Sequence, residues 1–169
     1  MQHDTTTDRT PPSADLQLAG LIAKFEPKKQ KLIKSMRRAL RKRFPTMNEL
    51  VYDYTKSLVI AYSPNERGSD GIVAMSADAN GVRLFFNYGV SLPDPHSILL
   101  GDGRQTRYIG IEASKVLLRP EVQALLTAAI SKVPIPRSKS GHGELIIKSS
   151  KQRTKSQSMK PKRPDIKGG

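Results

Sequence analysis

The stretch "IVAMSADANGVRLFFNYG", Ile72–Gly89, decides the fold. Two alternating apolar runs flank Asn80-Gly81, a pair that tolerates the positive φ of a tight hairpin turn. In the second run Val82, Leu84, Phe86 and Tyr88 share one face. Arg83, Phe85 and Asn87 share the other. A period of two means antiparallel strands with one side toward a core.

Working outward, more strand pattern lies on both sides. Upstream, "ELVYDY" sets Leu50, Tyr52 and Tyr54 on one side, and "SLVIAYS" follows before the polar turn Pro64–Gly71. Downstream, "SLPDPHSILLGDG" is too rich in Pro and Gly for a strand, and "QTRYIGIE" reads as the last one, with Arg107, Ile109 and Ile111 on one side. Helical spacing brackets this block. Ser13 can cap a helix carrying Leu18, Leu21, Ile22 and Phe25. Pro27 can open a second helix and Pro45 closes it. Arg119-Pro120 starts a third, with Val122, Leu125, Leu126, Ala129 and Val133 on its buried stripe. Consecutive strands between helices predict an α+β two-layer sandwich: an antiparallel sheet of about five strands with helices packed on one face. "GELIIKS", Gly143–Ser149, either adds one edge strand or packs across the domain.

Residues 1–12 read as a disordered leader, 13–136 as the domain, and 137–169 as a basic, mostly disordered tail. The chain has 169 residues and no Cys, which excludes disulfides and thiolate metal sites. The longest apolar runs are short, such as "LVIAY" at Leu58–Tyr62, whereas a transmembrane helix needs about 20 apolar residues. A cytoplasmic location and no membrane partner are expected, and oligomeric state is left open.

The net charge is +14, and its layout matters more than its size. From Lys132 onward eleven bases face Glu144 and Asp165. Lys28–Arg43 adds nine bases and no acid, and the rest of residues 1–131 has nine bases against thirteen acids. A mildly acidic body thus carries one basic helix and one basic tail, a layout that favours polyanions. On a helical wheel Leu32, Ile33, Met36, Leu40 and Phe44 form one stripe. Lys31, Lys34, Arg37, Arg38, Arg41 and Lys42 take the far side. No Glu at i−4 relieves these bases, so they are candidates to contact an anion or nucleic acid. "GDGRQTR" adds Arg104 and Arg107, which beside Gly101 and Gly103 could hold a phosphate.

No catalytic motif, nucleotide loop or metal-ligand spacing occurs, so no enzyme, catalytic residue, cofactor or metal ligand is expected. His3, His96 and His142 are isolated, "GHG" reads as a flexible joint, and Glu49 and Asp53 read as solvated acids. Tyr52, Tyr54, Phe85, Phe86 and Tyr88 read mainly as core filling, with only Phe85 opposite the main stripe of its strand. Exposed among bases, such aromatics would stack single-stranded bases.

Residues of about 27–136 resemble the YdhG-like domain family, a domain of unknown function. "MRRALRKRFPTMNELVYDYTKSLVIAYSP", "VRLFFNYGVSLPDP", "LLGDGRQTRYIGIE" and "RPEVQALLTAAISKVPIP" carry the resemblance. It implies a frataxin-like α/β sandwich. One branch of the family is linked to iron delivery, so the resemblance admits an iron carrier or metallochaperone, with iron by family analogy only. That role implies an acidic surface, whereas the first large helix here is basic. The leading expectation is a non-catalytic binding module for a polyanion or acidic partner, nucleic acid among them. A small phosphate-containing ligand at Gly101–Arg107 is the further alternative.

Overall fold

The computed structural model describes residues 11–133 and 142–148. The expectations for the leader and for most of the tail lie outside the described residues. In chain order the elements are α1 (Ala14–Ile22), α2 (Pro27–Arg43), β1 (Asn48–Tyr54), β2 (Ser57–Ser63), β3 (Val73–Asp78), β4 (Gly81–Phe86), β5 (Arg107–Ile111), α3 (Pro120–Ser131) and β6 (Leu145–Lys148). The fold is α+β. One six-stranded sheet runs β5-β4-β3-β2-β1-β6, antiparallel except where β6 pairs parallel to β1.

The helix starts follow local chemistry. Ser13 Oγ accepts the Leu16 amide at 3.3 Å. Prolines open α2 and α3, where the missing N–H has no partner to lose. Arg41, Lys42 and Arg43 occupy the last turn of α2, complementing the negative end of its dipole. The central hairpin forms as the alternation predicts, but its turn sits one residue early. Asp78 pairs with Gly81, so Ala79 and Asn80 make the corner. The Asn80 amide donates to Asp78 Oδ1 at 2.8 Å, and Gly81 alone takes the left-handed φ of 134°, which costs glycine least.

One face of the sheet packs against all three helices. Leu18 and Ile22 of α1, Ile33, Met36 and Leu40 of α2, and Val122, Leu125, Leu126 and Ala129 of α3 join a single core with Val51, Ile60, Met75, Leu84, Phe86, Ile109 and Ile111. Each fully buried Ile, Leu or Met is worth about 1.5–3 kcal/mol of transfer, which holds the layers together. Val133 lies past the end of α3 and is only partly buried.

The aromatics divide differently from the core-filling expectation. Phe86 is buried, while Tyr88 falls beyond the strand and is exposed. On β1 the core side carries Glu49 and Val51, opposite Tyr62 and Ile60. Leu50, Tyr52 and Tyr54 therefore point to the other face, which also bears Phe85 and its partner Tyr108. The alternation of β1 is correct; the side that faces the helices is the one with Glu49 and Val51, while Leu50 is buried on the opposite face. The loop after β2 folds back over part of this face. Ser63 Oγ donates to Arg67 O at 2.8 Å and Asn87 Nδ2 to Gly71 O at 2.6 Å.

"GELIIKS" supplies the sixth strand. Its entry is anchored by Gly143 N–H to Pro45 O at 3.0 Å, by Glu144 N–H to Asn48 Oδ1 at 3.0 Å, and by Glu49 N–H to Glu144 O at 2.8 Å. A Cβ on Gly143 would overlap the Met47 carbonyl. The "GHG" glycine is thus a docking point and not simply a joint. Gly143→Ala should release β6 and cost about 1–3 kcal/mol. Amide exchange read by mass spectrometry should then rise at Glu49 and along β1, with β3–β4 unchanged.

Candidate polyanion-binding face

The outward side of α2 is decided by what lies beneath it. Glu49, placed on the core side by β1, is 2% exposed. Arg37 grips it with both ends of its fork, Nε to Oε2 at 2.9 Å and Nη2 to Oε1 at 3.0 Å. Arg41 Nη1 lies 3.0 Å from Oε1, and the Tyr62 hydroxyl donates to Oε2 at 3.1 Å. A carboxylate offers about four lone-pair sites; three hydrogen bonds reach this one, and Arg41 adds an ion pair. Glu49 is therefore an anchor between the sheet and α2. On the solvent side Asp15 of α1 stands 3.7 Å from Arg37 Nη2.

The titrating neighbours feel this arrangement. Burial would lower Arg37, but the Glu49 hydrogen bond and charge outweigh it, so the guanidinium is held more firmly protonated than usual. Burial raises Tyr62 well above the ordinary phenol range, and the Glu49 charge and hydrogen bond add to it.

The expected site residues separate into two groups. Arg37 and Arg41 serve Glu49, so the absence of an acid at i−4 is made good by a carboxylate from the sheet. Lys29 donates to Asp78 O at 2.6 Å and Arg43 to Thr127 Oγ1 at 2.9 Å. Among the described residues Lys31, Lys34, Arg38 and Lys42 have no ion pair and are exposed. At 1.5 Å per residue they form a stripe about 16 Å long. Beside it a groove of about 410 Å³ separates α1 from α2, lined by Asp15, Leu18, Ile22, Lys34, Arg37 and Arg38 among others.

The Gly101–Arg107 loop is a separate place. Gly101 takes φ 110° against the Tyr108 ring. The Arg107 guanidinium donates to the carbonyls of Gly103 and Thr106, so it ties its own loop together. Arg104 is exposed. No hydrogen bond or ion pair joins either arginine to α2 among the described residues. Among those residues, too, no three His, Asp or Glu side chains gather into a group able to hold a metal ion, and no helix is long and apolar enough to cross a membrane.

Sequence reasoning found the bases and missed Glu49 and Tyr62. The available signal was parity: Glu49 shares a side with Val51, and Tyr62 with Leu58 and Ile60. No protein-family model, no curated protein and no solved structure matches this chain.

Glu49→Gln should destabilise the domain by about 3 kcal/mol in urea unfolding, because two guanidinium groups lose a buried counter-charge. Tyr62→Phe removes one hydrogen bond and should cost about 1 kcal/mol at pH 7. The Tyr62 pKa is raised on folding, so the folded state favours the neutral phenol. That contribution is complete below the unfolded phenol value of about 10 and is lost as pH rises beyond it. Stability measured from pH 9 to 12 should therefore fall more steeply in the parent than in Tyr62→Phe.

Proposed function

We propose that this chain is a non-catalytic, YdhG-like binding module that holds a polyanion along α2, with nucleic acid the chemistry that best suits its charge pattern. The observation that supports the reading is the division of labour on α2. Its amphipathic frame and two of its arginines are absorbed by the sheet, yet among the described residues Lys31, Lys34, Arg38 and Lys42 stay exposed without counter-charge on one stripe. Like charges in one stripe repel one another, and a stripe kept for solubility alone would mix signs. Phosphates spaced a few ångströms apart along a strand would neutralise such a row and release counterions. Arg37 and Arg41, clamped from below, keep the helix from rolling under that load. The affinity would be largely independent of sequence, since backbone contacts carry no base information.

The test is fluorescence anisotropy of a labelled mixed-sequence single strand against salt. Four phosphate contacts predict a log–log slope of about −3 for single strands. Changing Lys31, Lys34, Arg38 and Lys42 together to Gln should flatten the slope and weaken binding to all sequences alike, with the melting curve unchanged. A parent slope near zero at micromolar protein would remove the proposal.

A further inference from the structure

Resting on that reading, we infer that the corner formed by β4 and β5 on the open face of the sheet seats a base of single-stranded nucleic acid. The sheet leaves a specific gap there. Phe85 and Tyr108 are cross-strand partners with ring centroids 5.2 Å apart. Arg83 lies with its guanidinium carbon 5.7 Å from each ring centroid, and Asp78 holds it by an ion pair. Next along β5 on the same face is Gly110, paired with Arg83. A Cβ built on Gly110 would meet nothing within 4 Å. A vacant side-chain position therefore lies beside Tyr108 and Arg83.

The backbone at this position also faces outward. Leu100 N–H donates to Tyr108 O at 2.8 Å and Tyr108 N–H to Leu100 O at 3.0 Å, on the side away from β4. Bonding direction alternates along an antiparallel strand. Ile109 thus bonds β4, and the Gly110 N–H and C=O point off the sheet edge. β5 is the last strand on this side, so among the described residues no further strand takes them. They open into a groove of about 540 Å³ that Asn80, Arg83, Tyr108, Gly110, Glu112 and Arg119 line with others. Ligand sites of about 300–1,000 Å³ hold small organic groups.

The chemistry fits a nucleobase better than a bare phosphate. A ring for stacking and a guanidinium plane lie beside the vacancy. The Gly110 amide and carbonyl and the Asn80 side chain supply donors and acceptors for a base edge. Glu112 accepts only, as an exocyclic amine requires. Arg119 leaves one exposed cation for the flanking phosphate. The Lys29 hydrogen bond to Asp78 O ties the first turn of α2 to the β3–β4 turn, and that turn contributes Asn80 to the groove.

The experiment compares, on the full chain, a labelled 12-nucleotide single-stranded DNA with an abasic strand of equal length and phosphate number. The base-bearing strand should bind about tenfold tighter, the worth of one stacked base. Gly110→Val fills open space in an extended strand, so its melting temperature should equal or exceed the parent's. It should abolish the tenfold difference and leave abasic binding unchanged. Tyr108→Ala should do the same to the difference. Equal affinity of the parent for the two strands, or a difference that survives Gly110→Val, would overturn the base seat and leave the polyanion reading standing. Failure of the parent to bind either strand would remove the polyanion reading and the seat with it.

Discussion

The Glu49 carboxylate is the constraint on which the rest of the structure depends. It is buried beneath α2, hydrogen-bonded by Arg37 and Tyr62 and ion-paired with Arg41. A buried charge is tolerated only when paired and hydrogen-bonded, so the α2 arginines have one workable arrangement. That arrangement fixes the rotation of the helix about its own axis. Apolar packing through Ile33, Met36 and Leu40 alone would permit some roll, because the stripe is non-directional. The bidentate fork of Arg37 does not permit it. With the rotation fixed, Lys31, Lys34, Arg38 and Lys42 must face outward, and α1 packs alongside through Leu18 and Ile22 with Asp15 beside the same arginine. One acid thereby determines which bases are structural and which are available.

Local physics made much of this legible beforehand. The alternation of Val82, Leu84 and Phe86 has one explanation, and prolines at the starts of α2 and α3 have another. Both act within a few residues, so the order of elements and the layered α+β arrangement could be read from the chain. What could not be read depends on distant residues. Whether Leu50 or Val51 turns to the core is settled by register with β2 and by the acid that α2 can satisfy. An alternating strand looks the same from either side, and a one-residue slip exchanges its faces. Glu49 therefore looked like a solvated acid. The parallel edge strand β6 was equally undecidable, because its anchors at Pro45, Met47 and Asn48 lie about a hundred residues upstream.

The candidate site follows the same division. The bases of α2 were visible as composition and helical spacing. Their partners were not, since ion pairs formed across the fold leave no mark at i±4. Counting charges on the helix overstates what is available to a ligand: of the six wheel positions named, two are committed to Glu49. The loop arginines show the same effect at shorter range, because Arg107 closes its own turn while Arg104 remains exposed.

The two faces of the sheet complete the argument. A sheet with helices on one face leaves the other to be managed by its own residues. On the β1–β2 half this is done by coverage: Leu50, Ala61 and Ser63 are buried on the side away from the helices, where the loop after β2 folds back. On the β4–β5 half it is done differently. Phe85 and Tyr108 are half-buried under each other and under Arg83, and Gly110 places no side chain at all in the next position. Valine or threonine there would shield the edge and favour the strand. Glycine instead weakens the strand and is the residue expected where something must come close to the backbone. The half of the open face that the loop after β2 does not cover is thus also the half that combines rings, a fixed guanidinium and exposed peptide groups. That combination sets this edge apart from the row of bases on α2, which lies on the helix side of the sheet.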